Sequence, residues 1–352
     1  MYVFTCTING SGRTVNERLR LAWAVMFRRH DPDDVPGAPL HLDHDGHRTR
    51  IKWHRARRRP DDPPFTARRI IEAMRLGASV EVDLVLHADR GYAVLHDRTV
   101  DRATTGVGRV ADLSAAQLRE VSLRSNRGRP LYQRVLLLED LASLLADVEV
   151  APDALLQLDF KEDAAALDDV AVEVFATAVA PFARNAILSC GDAEAVRILT
   201  DAAPGIRIGY DPCHHGAADA AMRSRDFDAF VRAAVTASPR AEMVYLENRL
   251  ILDADRLAFD IIGAFHDAGR LVDGYTVNRV DRKSIPMIRR LIDLRVDQIT
   301  TDDAEALAAL GLSDDLSRPR SIPRWAEPEP GSSWPPGRSD RRSRTPRFRF
   351  RC

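Results

Sequence analysis

Seven side chains in the first half of this sequence are of the types that act on an anion: His54, Arg55, Glu81, Asp83, His96, Asp159 and Lys161. Glu81 and Asp83 sit in the run Ser79-Val80-Glu81-Val82-Asp83-Leu84-Val85-Leu86, whose period-2 pattern is that of a strand and puts both carboxylates on one face. Two acids on one face repel, and burying them is costly unless a cation lies between them. Oxygen donors alone favour Mg²⁺, Ca²⁺ or Mn²⁺ over zinc. A solvated strand face with no ion would show the same spacing, so the pair draws meaning from its context. His54 and His96 bring imidazoles suited to general acid and general base work. Asp159 and Lys161 share a strand face by the same alternation; Asp159 offers a third oxygen, and Lys161 and Arg55 offer positive charge to an anion. An inert Asp159–Lys161 ion pair is the plainer alternative. A divalent cation with two positive side chains and two acid/base groups describes a site for a small-molecule phosphodiester.

These residues need elements that bring them together. After Leu86 the turn Ala88-Asp89-Arg90-Gly91 leads into a short apolar run at 92–95. Four turn residues can join antiparallel strands but cannot close a parallel crossover. The stretch is therefore a hairpin that returns His96 toward the carboxylates. A strand at 50–53 leads into His54-Arg55, and Thr66 is placed to cap a helix at 67–76 that Gly77 ends. Strands and helices then alternate, with strand starts near 50, 79, 155, 186, 206, 243, 271 and 297. The spacing predicts an α/β fold, a (β/α)8 TIM barrel with a small β-hairpin insertion after strand 2. An open doubly wound sheet is disfavoured by the lack of a Gly-rich phosphate loop after the first strand. In a barrel the C-terminal strand ends carry the active site. Here these ends also include Ser189, Asp211, Glu247, Tyr275, Asn278 and Asp302.

The chain has 352 residues, 45% hydrophobic and 29% charged, enough for one large domain or two small ones. Lys+Arg 51 against Asp+Glu 52 gives no global sign of a nucleic-acid partner. Cys6, Cys190, Cys213 and Cys352 are scattered without metal-like spacing and read as reduced thiols of a cytoplasmic protein. The apolar run at 21–27 is too short to span a bilayer and has no cleavage site after it, so no stable membrane insertion is expected. Residues 1–48 read as an N-terminal extension with a short helix at 15–29 and a polar loop holding His41, His44 and His47; 49–312 form the barrel. Residues 313–352 hold seven Pro and ten Arg and are expected to be disordered. Oligomeric state is not legible.

The ordered set His54-Arg55, Glu81-x-Asp83, His96-Asp97, Asp101-Arg102 with Thr104-Thr105-Gly106, and Asp159-x-Lys161 resembles the glycerophosphodiester phosphodiesterase family of metal-dependent TIM barrels. The segments Tyr275-Thr276-Val277-Asn278 and Ile299-Thr300-Thr301-Asp302 are similar to its closing strands, so the resemblance runs over about residues 50–312. It implies hydrolysis of a glycerophosphodiester to glycerol 3-phosphate and an alcohol. His54 and His96 would be the acid/base pair, and Glu81, Asp83 and Asp159 would hold one divalent cation, Mg²⁺ or Ca²⁺. Arg55 and Lys161 would bind the phosphate, with Tyr275 also on the substrate. The family's His-Arg-Gly is His54-Arg55-Ala56 here, its Pro-Glu-Asn-Thr reads Pro63-Pro64-Phe65-Thr66, Asp159 replaces the more frequent Glu, and Tyr275 replaces Trp. The departures bear on glycerol recognition more than on phosphate chemistry. Two alternatives stand beside this reading: a sphingomyelinase D or lysophospholipase D-like enzyme, which shares the Asp-x-Lys form, and a barrel that binds phosphorylated ligands without turnover.

Overall fold

The computed structural model describes residues 40–311; the expected helix at 15–29 and the Pro/Arg-rich segment lie outside them. Twelve strands follow in chain order: β1 (His41–His44), β2 (His47–Trp53), β3 (Ser79–Leu86), β4 (Tyr92–Val94), β5 (Ser122–Arg124), β6 (Pro130–Arg134), β7 (Leu155–Phe160), β8 (Ala186–Cys190), β9 (Arg207–Tyr210), β10 (Met243–Glu247), β11 (Leu271–Val277) and β12 (Gln298–Thr301). Eight of them, β2, β3 and β7 to β12, pair in parallel, and β2 bonds both β12 and β3, so the sheet closes into the barrel.

Each barrel strand is covered on both sides, which is why β3 is buried along its whole length. Its even residues, Val80, Val82 and Leu84, join the main apolar core. Its odd residues share the face that carries Glu81 and Asp83. The interior is unusually polar for a barrel, where branched aliphatics commonly fill it. Lys52, Gln157, Asp273, Gln298 and Thr300 are all buried. Lys52 Nζ lies 3.0 Å from Asp273 Oδ2 and 4.4 Å from the centre of the Tyr245 ring. Gln298 Nε2 and Thr300 Oγ1 donate to the same Asp273 at 2.7 and 2.6 Å. A charge pair taken out of water persists only when its remaining lone pairs are satisfied in this way.

The hairpin after strand 2 is present: Leu84, Val85 and Leu86 pair antiparallel with Val94, Ala93 and Tyr92. The segment beyond it builds a small second core, with Val85, Ala93, Leu95, Val100, Val110, Leu118, Leu123, Val135 and Leu137 buried together. The antiparallel pair β5–β6 belongs to this insertion and was not anticipated. The first barrel strand starts earlier than expected, and the three-histidine run is a hairpin, not a loop. His44 pairs with His47 across Asp45-Gly46, whose φ values of 45° and 78° suit a tight two-residue turn. Helices Ala217–Ser224 and Asn248–Arg256 are further additions, and Lys161 falls just beyond β7. Thr66 takes the N-cap position of helix Ala67–Leu76 without a side-chain cap bond, while Gly77 ends that helix at φ 82°.

Candidate active site

Asp83 and Asp159 are register partners across β3 and β7, and Ser189 is the next partner across β8. The pairing brings one oxygen each from Glu81, Asp83 and Asp159 within 4.8 Å of one another. Two cations close on them. Lys161 Nζ reaches Asp83 Oδ1 at 2.7 Å and also contacts Asp159, and Arg55 Nε lies 3.2 Å from Asp83 Oδ2. Arg55 is held with φ 53°, and its backbone N–H donates to Glu81 Oε2 at 2.6 Å.

Burial, and then the neighbouring Asp83 charge, push the Glu81 carboxyl well above the usual carboxylate range. Burial also works against ionising Asp83, but Lys161, Arg55 and His96 overcome it and hold Asp83 below that range. Desolvation would lower Lys161; Asp159, Asp83 and Glu81 hold it above the ordinary lysine value. The trio is thus a place where negative charge is concentrated out of water.

Both histidines use the same atom to bind a carboxylate. His54 Nδ1 bonds Asp302 Oδ1 at 2.8 Å, and His96 Nδ1 bonds Asp97 Oδ1 at 2.8 Å. A carboxylate can only accept, so each Nδ1 carries the hydrogen and each Nε2 is left for chemistry. Arg57 Nη1 donates to Asp302 at 2.9 Å, and Arg102 grips Asp97 through two nitrogens at 2.6 and 2.7 Å. These bonds, Arg102 first, hold Asp97 at about 2. Burial lowers His54 below its ordinary value, and Asp302 offsets part of that. His54 is accordingly neutral at pH 7.

Ser189, which the sequence marked only as a strand end, donates its hydroxyl to Asp159 Oδ1 at 2.6 Å and accepts from Gln157 Nε2 at 2.8 Å. Lys52 in turn donates to Gln157 Oε1. The chain of bonds has one direction. Lys52 fixes which end of the Gln157 amide faces it, so the amide nitrogen must donate to Ser189, and Ser189 must spend its only hydrogen on Asp159. Asp302 and Ser189 are the functional side chains whose roles sequence reasoning missed; their partners lie 248 and 30 positions away.

Tyr275, expected on the substrate, donates its hydroxyl to Asp211 Oδ2 at 2.8 Å, and makes no polar contact with Arg55, Lys161 or the three carboxylates among the described residues. His214 Nε2 lies 3.1 Å from the same Asp211 oxygen. Burial, then Asp211, raise the Tyr275 hydroxyl above its ordinary value, so it is a neutral donor. Glu247 pairs with Arg249. Thr104 turns its loop by donating to Val100 O at 2.6 Å, a structural part of the Thr-Thr-Gly motif. His44 and His47 lie at the opposite end of β2 from His54, beside Asp293 and Val296 O, and join no metal-type cluster among the described residues.

The acidic trio fits a hard divalent cation. Both Asp83 oxygens are buried without a hydrogen bond, because the Arg55 and Lys161 contacts are ion pairs without bonding geometry. With Glu81 deprotonated to ligate, three carboxylates and two cations leave one surplus negative charge; a divalent ion turns that into one surplus positive charge, the complement of a phosphodiester monoanion.

Residues 63–306 match the sequence profile of the glycerophosphoryl diester phosphodiesterase family. The match begins after His54 and Arg55, whose membership of the site rests on the contacts above. Over 67 residues, 19% of this chain and 20% of the relative, the chain is 42% identical to glycerophosphodiester phosphodiesterase 1 of Bos taurus. The Homo sapiens protein of the same name is 39% identical over 67 residues. The alignments therefore span only about a fifth of these relatives' length. Among solved structures, a glycerophosphodiester phosphodiesterase from Thermotoga maritima superposes with a TM-score of 0.53 at 19% identity, covering 76% of this chain and 100% of that one. An Oleispira antarctica phosphodiesterase in complex with the product sn-glycerol-3-phosphate gives 0.53 at 15% identity, covering 75% and 96%. At such identities the likeness is one of fold.

Proposed function

This chain belongs to the glycerophosphoryl diester phosphodiesterase family, and we propose on that footing that it hydrolyses a glycerophosphodiester to glycerol 3-phosphate and an alcohol. The observation that carries the reading is the convergence of Glu81, Asp83 and Asp159 with Arg55 and Lys161, beside two carboxylate-oriented histidines. Glu81, Asp83 and Asp159 would hold a divalent cation, Mg²⁺ or Ca²⁺ with Mn²⁺ as a further oxygen-seeking ion. When bound, such an ion supplies positive charge to the phosphate oxygens.

The chain's own residues divide the remaining work. Arg55 and Lys161 hold the phosphoryl oxygens and stabilise the charge that builds on them. His54, kept neutral by burial, takes a proton through Nε2 from the attacking hydroxyl as the new P–O bond forms; where that hydroxyl is the substrate's own, the cyclic diester it leaves is opened by water in a second step to give glycerol 3-phosphate. Asp302 steadies the imidazolium so formed. His96, half-exposed at the hairpin end, gives its Nε2 proton to the alcohol oxygen as the old P–O bond breaks. Tyr275, with Asp211 and His214, lines the strand ends across the barrel mouth and is the candidate wall for the non-reacting part of the substrate.

A second reading is favoured by one observation. The Glu and Asn expected between Pro63 and Thr66 are Pro64 and Phe65, and Phe65 is buried in the core with φ 60°. That loop packs and does not bind, which suits a lysophospholipase D or sphingomyelinase D-like substrate. Product analysis on glycerophosphocholine, glycerophosphoethanolamine, lysophosphatidylcholine and sphingomyelin separates the two. Glycerol 3-phosphate from the first pair supports the main reading; free choline from the second pair alone replaces it.

A further inference from the structure

The insertion that carries His96 also carries a basic surface outside the reaction site. Residues 121–135 hold four arginines, Arg124, Arg127, Arg129 and Arg134, and no Asp or Glu, in a chain whose charges otherwise nearly cancel. Several surface arginines elsewhere meet carboxylates: Arg102 on Asp97, Arg119 on Asp140, Arg249 on Asp219, Arg290 on Asp255. None of these four does so among the described residues. Arg124 bonds the carbonyls of Thr104 and Gly128, and Arg134 bonds Ser122 Oγ and the Glu120 carbonyl. Arg127 and Arg129, at the tip between β5 and β6, are exposed.

Apolar groups stand out from the same surface. On β6, Pro130, Tyr132 and Arg134 alternate outward while Leu131 and Gln133 are partly covered, and Tyr132 is 96% exposed. Val107 is 79% exposed, on the loop whose Thr104 and Thr105 bond to β5. An amphipathic aromatic ring flanked by unpaired arginines matches the headgroup layer of an anionic bilayer: guanidiniums meet lipid phosphates, and the ring enters the interface. A single-stranded nucleic acid would instead need successive stacking rings, and Tyr132 is the one aromatic residue in 121–135.

The patch lies beside the reaction site. Asn126 Nδ2 donates to Pro60 O at 3.0 Å and Asp62 O at 3.3 Å, on the loop that follows His54. Its Oδ1 faces Arg57, which holds Asp302. We infer that the β5–β6 hairpin docks the protein peripherally on anionic lipid surfaces, with the barrel mouth turned toward the headgroups. The attachment is by charge and an interfacial ring; among the described residues no helix is long and apolar enough to cross a membrane. The inference goes beyond turnover and stands without it.

Sedimentation of the full chain with vesicles of phosphatidylcholine alone, or mixed with phosphatidylserine, tests this. Binding is expected only with phosphatidylserine and should weaken as salt rises. Each arginine neutralised should cost about fivefold in affinity, so R127Q/R129Q should bind roughly 25-fold more weakly. Tyr132→Ser should also weaken binding. All these positions are exposed, so melting temperature and any turnover of a soluble diester should be unchanged. Failure of the unmodified chain to bind phosphatidylserine vesicles overturns the inference. Binding that R127Q/R129Q and Tyr132→Ser leave intact overturns it too, as does binding to single-stranded DNA with no binding to vesicles.

Discussion

His54 and Asp302 meet at the seam where the barrel closes. Trp53 and Thr301 are the last registered pair between β2 and β12, and the next residue on each strand supplies one partner of the 2.8 Å bond between Nδ1 and Oδ1. Closing the barrel therefore assembles the dyad, and the tautomer of His54 depends on the strand register.

Replacing Asp302 by Asn should be read in a pH profile. Burial lowers His54 and Asp302 raises it, so removing the carboxylate charge takes away a raising influence. The base must be neutral to accept a proton, so the acid limb of kcat/KM should move to lower pH in Asp302→Asn. With Nδ1 no longer held by an obligate acceptor, kcat should fall by about 10²-fold or more. A limb that moves to higher pH would contradict this.

Ion binding should stabilise the fold and depend on pH. At a free Mg²⁺ or Ca²⁺ concentration of ~100 Kd the expected gain is about 2.7 kcal/mol, seen as a rise in Tm that EDTA reverses and Asp83→Asn abolishes. Glu81 must release its proton to ligate, and its carboxyl sits above the usual range. Affinity should therefore strengthen as pH rises through that raised value and weaken below it, as isothermal titration at several pH values would show.

Ser189 should matter to the ion without touching it. Ser189→Ala removes the donor to Asp159 and should weaken Mn²⁺ binding by about 10–100-fold, measured by electron paramagnetic resonance. Lys52→Met leaves Asp273 buried without its cation and should destabilise the fold by about 3–5 kcal/mol. If the bonds from Lys52 through Gln157 and Ser189 act as one unit, the two effects on Mn²⁺ affinity will not add in the double variant. Additive losses would show that Lys52 acts on the ion by a route other than Ser189, and unchanged affinity in Lys52→Met that it serves only stability.

The small second core should be needed to place His96. Leu95→Ala opens a cavity in that core next to the histidine and should cost about 2–5 kcal/mol by urea denaturation. Turnover should fall further than the folded fraction does, because His96 loses its packed neighbour.

Much of the fold was written in apolar periodicity. Strands buried on both faces with regular spacing, such as 186–190 and 243–247, begin where the apolar runs placed them. The Glu81-x-Asp83 face and the hairpin that returns His96 followed from strand alternation and the length of one turn. What escaped lacked those signals. Of their apolar residues β5 and β6 bury only Leu123 and partly Leu131, while Pro130, Tyr132 and Arg134 face outward, too short a pattern to mark two strands. Helix Asn248–Arg256 starts directly at the end of β10, with no connecting loop to announce it. The Asp45-Gly46 turn carried a hairpin signal, but the single Leu42 before it gave no alternation to support a strand. The roles of Asp302 and Ser189 depend on pairing across strands distant in sequence, and no local pattern encodes that.

The most direct test is release of glycerol 3-phosphate from glycerophosphocholine with Mg²⁺ or Ca²⁺, set against EDTA, for the unmodified chain, His54→Ala and His96→Ala. Metal-dependent release that falls by about 10²–10⁴-fold in each variant, with Tm preserved, is the expected result. Release that survives EDTA, or that either alanine variant sustains at the unmodified rate, would contradict an acid/base pair working beside a metal held by Glu81, Asp83 and Asp159.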